Sequence, residues 1–405
     1  MQKRTVVVTA MGLITPVGSS ARETFDALIA GRCGIGKHPS LALGRRVGYV
    51  DVDISAGEHP AQARQMDRVT LMAQYAATQA IERSGLTAGQ QARTGVFYGT
   101  GIGGITTFNE AIEAYHQLIP KRPVLVVPAI MPHAATALIA QRLRSVAEAQ
   151  TYATACSAGS VAIGEAFRRL RDGYLDVAIA GGAESMLIPS IMAAWEQLRV
   201  LSPDPADPDT GNCRPFSSRR AGFALSEGAA MIVLETLDHA RSRGATPIAE
   251  LCGYGVSNDG THPLRPDPVG QTLAMRRCLD DAGVDPAQVG YVNAHATGTH
   301  VGDRIETQAI KQVFGARAGA LPVSSIKGAV GHMIGAAGAV EAAVTAMSVQ
   351  QGIVPPTLFY EAGDAICDLD YIPGRARELP DLSVAISNSF GMGGNNSVLA
   401  FRKIA

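Results

Sequence analysis

Cys156 lies in a segment that could make a thiol reactive. Residues 151–160 read TYATACSAGS, in which a β-rich stretch leads to the cysteine and then to a predicted helix. A nucleophile on a tight strand-to-helix turn projects outward, and the positive end of the helix dipole lowers the pKa of its thiol. We therefore predict that Cys156 is a nucleophile, with thiolate available near neutral pH. An inert core cysteine is the alternative. We interpret the other five cysteines as inert core residues; they are Cys33, Cys213, Cys252, Cys278 and Cys367.

A histidine at the end of a predicted strand could act beside this thiol. Residues 290–303 read GYVNAHATGTHVGD, so His295 follows the strand and begins a loop of small residues and threonines. The hydroxyl groups of Thr297 and Thr299 could hold the polar arm of a ligand. A hydrogen-bonded turn histidine is the alternative for His295, and we interpret His300 in the same loop as structural.

A lysine and a second histidine occur together further along the chain. In VSSIKGAVGHMIGAAGAVE, residues 323–341, Lys327 and His332 flank a glycine-rich turn before a helix of small residues. A charge in so apolar a stretch is costly unless it is paired, so we expect Glu341 to be the counter-ion of Lys327. A purely structural Lys–Glu pair would give the same pattern.

Two glycine-rich segments are candidates for binding loops. The glycines of SNSFGMGGNNSV, residues 387–398, would let the backbone approach a ligand, and its N–H groups could stabilise an oxyanion. A simple glycine-rich β turn is the alternative. For GTGIGG at residues 99–104, no acidic partner lies at the distance that the G-x-G-x-x-G fingerprint requires, which argues against a dinucleotide site.

Alternating strands and helices would position these groups. The predicted strands are residues 5–9, 94–98, 177–180, 231–235, 290–293 and 384–387. The predicted helices are residues 66–84, 160–171, 270–282 and 336–351. This alternation is typical of α/β layers around a mixed or parallel sheet. The helices that begin near Cys156 and His332 are rich in glycine and alanine, which suits helices buried between two sheets.

The two halves of the chain share one pattern. Each has a small-residue helix and then a strand that ends at a glycine-rich turn, GGAES at residues 181–185 and SFGMGGNN at residues 389–396. We predict two copies of one unit: residues 1–245 with the nucleophile, and residues 246–405 with the histidines and the lysine. The stretch 201–221, rich in proline, aspartate and arginine, predicts a long surface loop.

The composition excludes several classes of function. The chain has 405 residues, 46% hydrophobic and only 18% charged, so much of it must be buried in a core or a subunit interface. Its net charge of −1 argues against nucleic-acid binding and electrostatic docking on a membrane. The cysteine spacing indicates neither a zinc site nor a disulfide framework, so we expect no metal and a reducing cytoplasm. No signal peptide or spanning helix is predicted.

The motifs follow one another in the order Cys, His, Lys, His. Because it has these motifs in this order, the sequence resembles the β-ketoacyl–acyl carrier protein synthases, of the elongating type found in fatty acid and type II polyketide synthesis. The resemblance runs from VVVTAMGLITPVG at residues 6–18 to NSFGMGGNNSVLAF at residues 388–401. It implies the α/β thiolase-like fold, a duplicated αβαβα five-layer arrangement.

The resemblance also implies a reaction. In a decarboxylative Claisen condensation, a cysteine-bound acyl chain joins malonyl-acyl carrier protein to give 3-oxoacyl-acyl carrier protein. No cofactor is expected beyond the phosphopantetheine arm that carries the substrates. Cys156 resembles the acylated nucleophile, and His295 and His332 resemble the pair that stabilises the enolate. Lys327 resembles the lysine that supports this site, with Glu341 as its partner.

The resemblance implies four further roles. The backbone N–H groups of Cys156 and Phe390 would form the oxyanion hole, and Phe390 would gate entry of the extender unit. Thr297 and Thr299 resemble the threonines that hold the phosphopantetheine arm. Ile102 resembles a residue that lines the acyl pocket.

The sequence departs from the family pattern near the substrate path. Ala296 replaces a usual glycine, Met392 a usual phenylalanine and Asn395 a common threonine, and the loop with Leu264 and Arg265 differs from the fatty-acid pattern. None of these changes removes a catalytic group. They leave open housekeeping fatty acid elongation and the synthesis of a specialised acyl or polyene chain.

Two other activities would require different cysteines. A non-catalytic partner that sets chain length in a heterodimer would lack the nucleophile, whereas this chain has Cys156. A coenzyme-A thiolase would need a second cysteine in residues 387–398, and none is present there.

The expected partners are an acyl carrier protein and a second subunit. Because a carrier protein is acidic, we expect a basic patch near the pocket mouth. The candidates for it are Arg64 and Arg68, or Arg214, Arg219 and Arg220. We expect a homodimer, or a heterodimer with a chain-length-factor-like chain, in which residues 126–140 reach the pocket of the partner.

Overall fold

The computed structural model describes residues 3–40, 44–117, 125–204 and 211–404. The strands of the first half are β1 (Val6–Ile14), β2 (Ile35–Gly36), β3 (Val47–Gly48), β4 (Gly95–Gly99), β5 (Ala149–Tyr152), β6 (Val177–Glu184) and β7 (Gly228–Thr236). The helices are α1 (Ala21–Ile29), α2 (Pro60–Ala63), α3 (Arg68–Ser84), α4 (Ala88–Gln91), α5 (Ile105–His116), α6 (Val126–Ile130), α7 (Ala134–Leu143), α8 (Ala158–Arg171), α9 (Pro189–Gln197) and α10 (Leu237–Ser242).

The second half follows with its own set. Its strands are β8 (Ala249–Asn258), β9 (Tyr291–Asn293), β10 (Val323–Ser324), β11 (Ile353–Val354), β12 (Arg377–Glu378), β13 (Val384–Gly391) and β14 (Asn395–Arg402). Its helices are α11 (Pro268–Ala282), α12 (His300–Phe314), α13 (Lys327–Val330) and α14 (Ala337–Gln351). Short 3₁₀ turns at Ala155–Ser157 and Ile334–Ala336 lead directly into α8 and α14.

The strand order shows the duplication. The long sheet runs β10-β9-β13-β14-β8-β1-β7-β6-β4-β5. Each half contributes five strands to this sheet. Counted outwards from the centre, the order in both halves is the first of these five strands, then the fifth, fourth, second and third. The two first strands, β1 and β8, join the halves through an antiparallel pairing of Val6–Val8 with Ala249–Leu251. The chain therefore has the predicted duplicated α/β thiolase-like fold.

Two buried helices lie between the halves. Every residue of α14 from Ala337 to Val349 is buried, and α8 and α14 contact each other and strands of both halves. Glycines allow this approach: a Cβ atom on Gly159 would lie 2.9 Å from the Cβ of Ala339. The predicted burial of the small-residue helices is confirmed, and both helices begin beside site residues.

The predicted strands and helices are all present, with ends displaced by a few residues. Strand β8 was missed because its sequence AELCGYGVSN contains two glycines, and Asn395, predicted to lie in a loop, begins β14. Residues 201–204 and 211–221 contain no helix or strand, as predicted for a loop, and residues 205–210 lie outside the described part. Most of residues 211–220 are buried, however, so the prediction of a surface loop was wrong there. Among the described residues, no helix is long and apolar enough to cross a membrane.

Candidate active site

Cys156 lies on the 3₁₀ turn between β5 and α8. The preceding residue, Ala155, has a φ of +52°, in the left-handed region that a residue with a side chain rarely adopts. Such backbone strain persists where the surrounding structure holds it, and it is concentrated at functional sites. The turn leaves the thiol 7% exposed, at the inner end of a cavity of about 330 Å³.

Two imidazoles share this cavity with the thiol. The Nε2 atom of His332 lies 3.1 Å from the Cys156 Sγ, and the rings of His295 and His332 meet edge to face at 5.4 Å. One atom from each of the three side chains falls within 4.8 Å of the others. Residues from both halves thus converge on one point, as the sequence predicted.

The thiol is protonated in the resting site. Burial raises the pKa of Cys156 to about 11, although the Met392 N–H and the Lys327 charge act to lower it. The prediction of thiolate near neutral pH was therefore wrong, because the loss of solvation outweighs the helix dipole. Burial and the Lys327 charge lower the pKa values of His295 and His332 well below their usual range, so both imidazoles are neutral at pH 7.

Lys327 is held beneath the histidines by an ion pair. Its Nζ atom contacts Glu341, and both side chains are 1% exposed. Burial raises the pKa of Glu341, and the Lys327 charge acts in the opposite direction. The ion pair therefore places the Lys327 ammonium group near the two imidazoles, where its charge adds to the effect of burial in disfavouring their protonated forms.

The chain matches known protein families over most of its length. Residues 3–240 match the "Beta-ketoacyl synthase, N-terminal domain" and residues 248–361 the "Beta-ketoacyl synthase, C-terminal domain". This chain belongs to the β-ketoacyl synthase family.

Relatives and solved structures agree with the match. The chain is 39% identical to nodulation protein E of Rhizobium sp. (strain N33), over 99% of this chain and 100% of that protein. It is 38% identical to 3-oxoacyl-[acyl-carrier-protein] synthase 2 of Staphylococcus aureus (strain COL), over 99% of both. The ishigamide ketosynthase/chain length factor superposes with a TM-score of 0.92 at 32% identity, over 100% of both chains.

A second solved structure bears on the carrier protein. It is a type II polyketide acyl-carrier protein in complex with its ketosynthase, and it superposes with a TM-score of 0.89 at 28% identity, over 100% of both chains. The chain is therefore a condensing acyltransferase of the elongating ketosynthase type.

The loop after His295 forms one wall of the ketosynthase cavity. Thr297 and Thr299 both line it, and their hydroxyl oxygens lie 3.2 Å apart. Thr299 also caps α12 by accepting from the Gly302 N–H. His300, interpreted as structural, lines the cavity as well.

Three buried carboxyl groups around the site were missed. Glu306 accepts from the N–H groups of His295 and Ala296 at 2.9 and 2.7 Å, and Asp303 accepts from the Gly298 N–H at 3.1 Å. Burial raises the pKa of Glu306 to about 7 and that of Asp303 to about 6. The third group, Glu184, ends β6. Asp303 and Glu306, three and six residues after His300, give only a weak sequence signal, because surface helices also carry such residues.

The glycine-rich turn between β13 and β14 places the N–H group of Met392 beside the Cys156 thiol, where that of Phe390 was expected. The backbone N–H groups that point to the Cys156 Sγ are those of Met392 and of Cys156 itself. Phe390 belongs to the β13–β14 ladder, opposite Asn396, and its ring lies 6.0 Å from the His295 ring. Met392, rather than Phe390, therefore supplies the N–H that faces the thiol.

A second loop closes the cavity mouth against this turn. The Gly393 N–H donates to the Pro263 carbonyl at 2.8 Å, and the Asp259 N–H donates to the Gly394 carbonyl at 3.0 Å. Leu264 and Arg265 line the mouth here, and Leu264 is 54% exposed. Of the residues that depart from the family pattern, Leu264, Arg265, Ala296 and Met392 line this cavity, whereas Asn395 does not.

Other predicted residues lie elsewhere. Ile102 is 41% exposed in the single chain and does not line the cavity with Cys156. Arg220, a candidate for the basic patch, is 1% exposed and bound to Asp364, so its placement on the surface was wrong. Its guanidinium group instead donates to carbonyls of the threonine loop, at Thr299 and His300. A larger cavity of about 610 Å³, lined by residues of α3 and α7, contains none of the predicted site residues.

Of the groups that could hold a metal ion, the described residues offer one set, Cys156 with His295 and His332. These are the three side chains that converge in the cavity. Neutral imidazoles and a thiol could ligate a zinc-like ion, but the reaction proposed below needs the same atoms free.

Proposed function

We propose that Cys156 carries the acyl chain while His295 and His332 stabilise the carbanion that malonyl-acyl carrier protein forms when it loses CO₂. The observation that carries this assignment is the 3.1 Å approach of the His332 Nε2 to the Cys156 Sγ. Residues 1–245 would supply the nucleophile, and residues 246–405 the histidines and Lys327.

In the first half-reaction, the sulfur attacks the carbonyl carbon of the acyl thioester. A bond from Sγ to the acyl carbon forms, the bond from that carbon to the arm sulfur breaks, and the thiol proton ends on the released arm. The developing oxyanion would accept from the backbone N–H groups of Cys156 and Met392. Splitting the reaction through an acyl-enzyme avoids a direct three-component encounter.

In the second half-reaction, the malonyl thioester oxygen gains negative charge as CO₂ leaves. In the described part of the chain, neither His295 Nδ1 nor His332 Nδ1 has a hydrogen-bond partner. A buried N–H without an acceptor is rarer than a buried acceptor without a donor. We therefore assign the protons to the Nε2 atoms, which makes both imidazoles neutral donors towards the oxygen.

We further propose that the phosphopantetheine arm of an acyl carrier protein enters past Thr297 and Thr299. Arg199 and Arg265 line the cavity mouth with His300, and all three are exposed. The positive charge of Arg199 and Arg265 suits an acidic carrier domain and a phosphodiester. The substrates arrive on this arm, so no further cofactor is proposed.

A second subunit is proposed to cover an apolar face on α5 and α6. Its exposed apolar residues include Ile102, Phe108, Ile112 and Val127. Apolar area of this kind is typical of subunit interfaces, and it would bring Ile102 and the predicted segment 126–140 next to the partner. The partner would be the same chain or a chain-length-factor-like chain, and the assembly is proposed to work in the cytoplasm.

The test follows the two half-reactions separately. Mass spectrometry of the protein with a panel of acyl-carrier-protein thioesters should show an acyl adduct on Cys156 that is absent in Cys156→Ala. His332→Ala should acquire the adduct but fail to release CO₂ from malonyl-carrier protein. A wild-type protein that no donor acylates would sink the proposal, and loss of acylation with decarboxylation intact would reverse the role of His332.

A further inference from the structure

The second half of the chain contains a turn equivalent to the nucleophile turn. Each 3₁₀ turn begins with a residue of positive φ, +52° at Ala155 and +41° at Ile334. The next residue is Cys156 in one turn and Gly335 in the other, and each lies two positions before its helix. In the duplicated fold, Gly335 therefore occupies the place of the nucleophile.

Contacts between the two helices support this equivalence. A Cβ atom on Gly159 would lie 2.9 Å from the Cβ of Ala339, and one on Gly338 would lie 2.8 Å from the Cβ of Ser160. Gly159 therefore faces Ala339, the residue after Gly338, and Gly338 faces Ser160, the residue after Gly159. The helices α8 and α14 are related by a local two-fold axis that exchanges the two turns.

The Gly335 N–H is occupied by a carboxylate. It donates to the Glu184 Oε2 at 3.1 Å, and the Gly101 N–H donates to the same oxygen at 2.5 Å. The Thr100 hydroxyl donates to Oε1 at 3.2 Å, and the Ile102 N–H also points to this carboxyl group. Glu184 is 0% exposed, so the group has no contact with solvent.

The corresponding place in the other half is open. Strands β6 and β13 are both eight residues long and begin with Val-Ala-Ile, so Glu184 at the end of β6 corresponds to Gly391 at the end of β13. Gly391 has no side chain, and a Cβ atom there would lie 2.7 Å from the Thr154 carbonyl oxygen. One turn thus keeps its N–H group free beside Cys156, whereas the N–H group of the other turn donates to the Glu184 carboxyl group.

We propose that Glu184 is a positioning residue whose carboxylate fills the second-half equivalent of the oxyanion hole, and so fixes the Gly101–Ile102 loop and the turn after His332. Close packing around the carboxyl group supports this role. A Cβ atom on Gly101 would lie 2.6 Å from the Glu184 Oε2, and a Cβ atom on Gly335 would lie 2.7 Å from the same oxygen. Ile334 lies in the same apolar cluster as Cys156, so displacement of this turn reaches the thiol. The proposal rests on the roles proposed above for Cys156 and His332.

The test uses chemical rescue. Glu184→Ala removes the Cγ and the carboxyl group, which are the atoms of acetate. We expect condensation in Glu184→Ala to fall about 100-fold, the size of effect that a displacement of about 1 Å produces. Acetate should restore the rate with saturation and raise the melting temperature, whereas equal concentrations of acetamide or chloride should not.

Glu235→Ala is the matched control. Glu235 is also 0% exposed, but it lies at the other end of β7, bound to Arg243 and Thr9. Acetate should not change the condensation rate of this variant. Should Glu184→Ala fold poorly, the yield of refolded protein in acetate and in acetamide gives the same comparison. Glu184→Gln adds a second variant, in which an NH₂ group faces N–H donors and acetate has no space to bind.

The outcomes separate the two proposals. A wild-type rate in Glu184→Ala, or equal effects of acetate and acetamide on its rate and refolding, would overturn the assignment of Glu184 alone. If wild-type protein fails to condense any substrate pair, the function proposed for Cys156 and His332 fails instead. The proposal is supported if acetate restores the condensation rate of Glu184→Ala but does not restore the reduced rate of Glu184→Gln.

Discussion

The Cys156 thiol and the His332 imidazole lie 3.1 Å apart without forming an ion pair. The pKa of the thiol is raised to about 11, and that of the imidazole is lowered well below its usual range. Both groups are therefore neutral at pH 7. A thiolate–imidazolium pair would need the opposite shifts, so the resting site does not store a thiolate.

The first prediction concerns the reactivity of this thiol. Alkylation of Cys156 by iodoacetamide should accelerate about tenfold for each pH unit between 7 and 10, because the thiolate fraction rises in that proportion below a pKa of about 11. The rate is followed by mass spectrometry of the peptide with Cys156, and Cys156→Ser controls for the other cysteines. A plateau above pH 7 would show that the helix dipole dominates after all.

The second prediction separates the two histidines from a general loss of structure. His332→Ala and His295→Ala should each slow malonyl decarboxylation by about 10²–10³-fold, the usual cost of removing one oxyanion donor. His332→Gln keeps an N–H donor near the Nε2 position and should retain more activity than His332→Ala. Release of CO₂ from malonyl-carrier protein measures both. Equal losses in the glutamine and alanine variants would contradict a donor role.

The sequence predicted the reaction centre better than its electrostatics. Cys156, His295, Lys327 and His332 were recognisable because each lies in a short motif of restricted composition. The protonation state of Cys156 was not, since it depends on burial among residues distant in sequence. Similarly, Arg220 looked like a surface charge until Asp364, 144 residues later, was found beside it.

The same limit explains the missed residues and the misplaced N–H group. Glu184 and Glu306 are ordinary acidic residues in sequence, and only the fold places backbone N–H groups around them. Whether the N–H of Phe390 or of Met392 faces the thiol depends on where β13 ends and the turn begins, which a glycine-rich sequence does not specify.

The third prediction concerns the threonines at the cavity wall. Thr297→Val should raise the KM for malonyl-carrier protein about 3–10-fold with little change in kcat, as expected for one lost hydrogen bond to the arm. Thr299→Val should do the same and also cost about 1 kcal/mol of stability, because Thr299 caps α12. Steady-state kinetics and thermal unfolding measure the two effects. Thr299→Ser is the control that keeps both the cap and the hydroxyl, and a change confined to kcat would contradict arm binding.

The fourth prediction is the pH dependence of stability. Burial raises the pKa of Glu184 and Glu306 to about 7 and that of Asp303 to about 6. Because the folded state then holds protons that the unfolded chain releases above about pH 4.5, these groups stabilise the fold fully below that pH. Their contribution falls by up to about 1.4 kcal/mol per pH unit for each group, until the folded-state pKa is passed.

Unfolding free energies measured between pH 5 and 8 test this expectation. The part of the unfolding free energy that these three groups determine should decline as the pH rises from 5 to 7 and should then level off. Glu306→Gln removes one titrating group while preserving the size of the side chain, so its slope between pH 5 and 7 should be shallower than that of the wild type by up to about 1.4 kcal/mol per pH unit. An unchanged slope in Glu306→Gln would mean that Glu306 is ionised in the folded protein, held so by the N–H groups of His295 and Ala296.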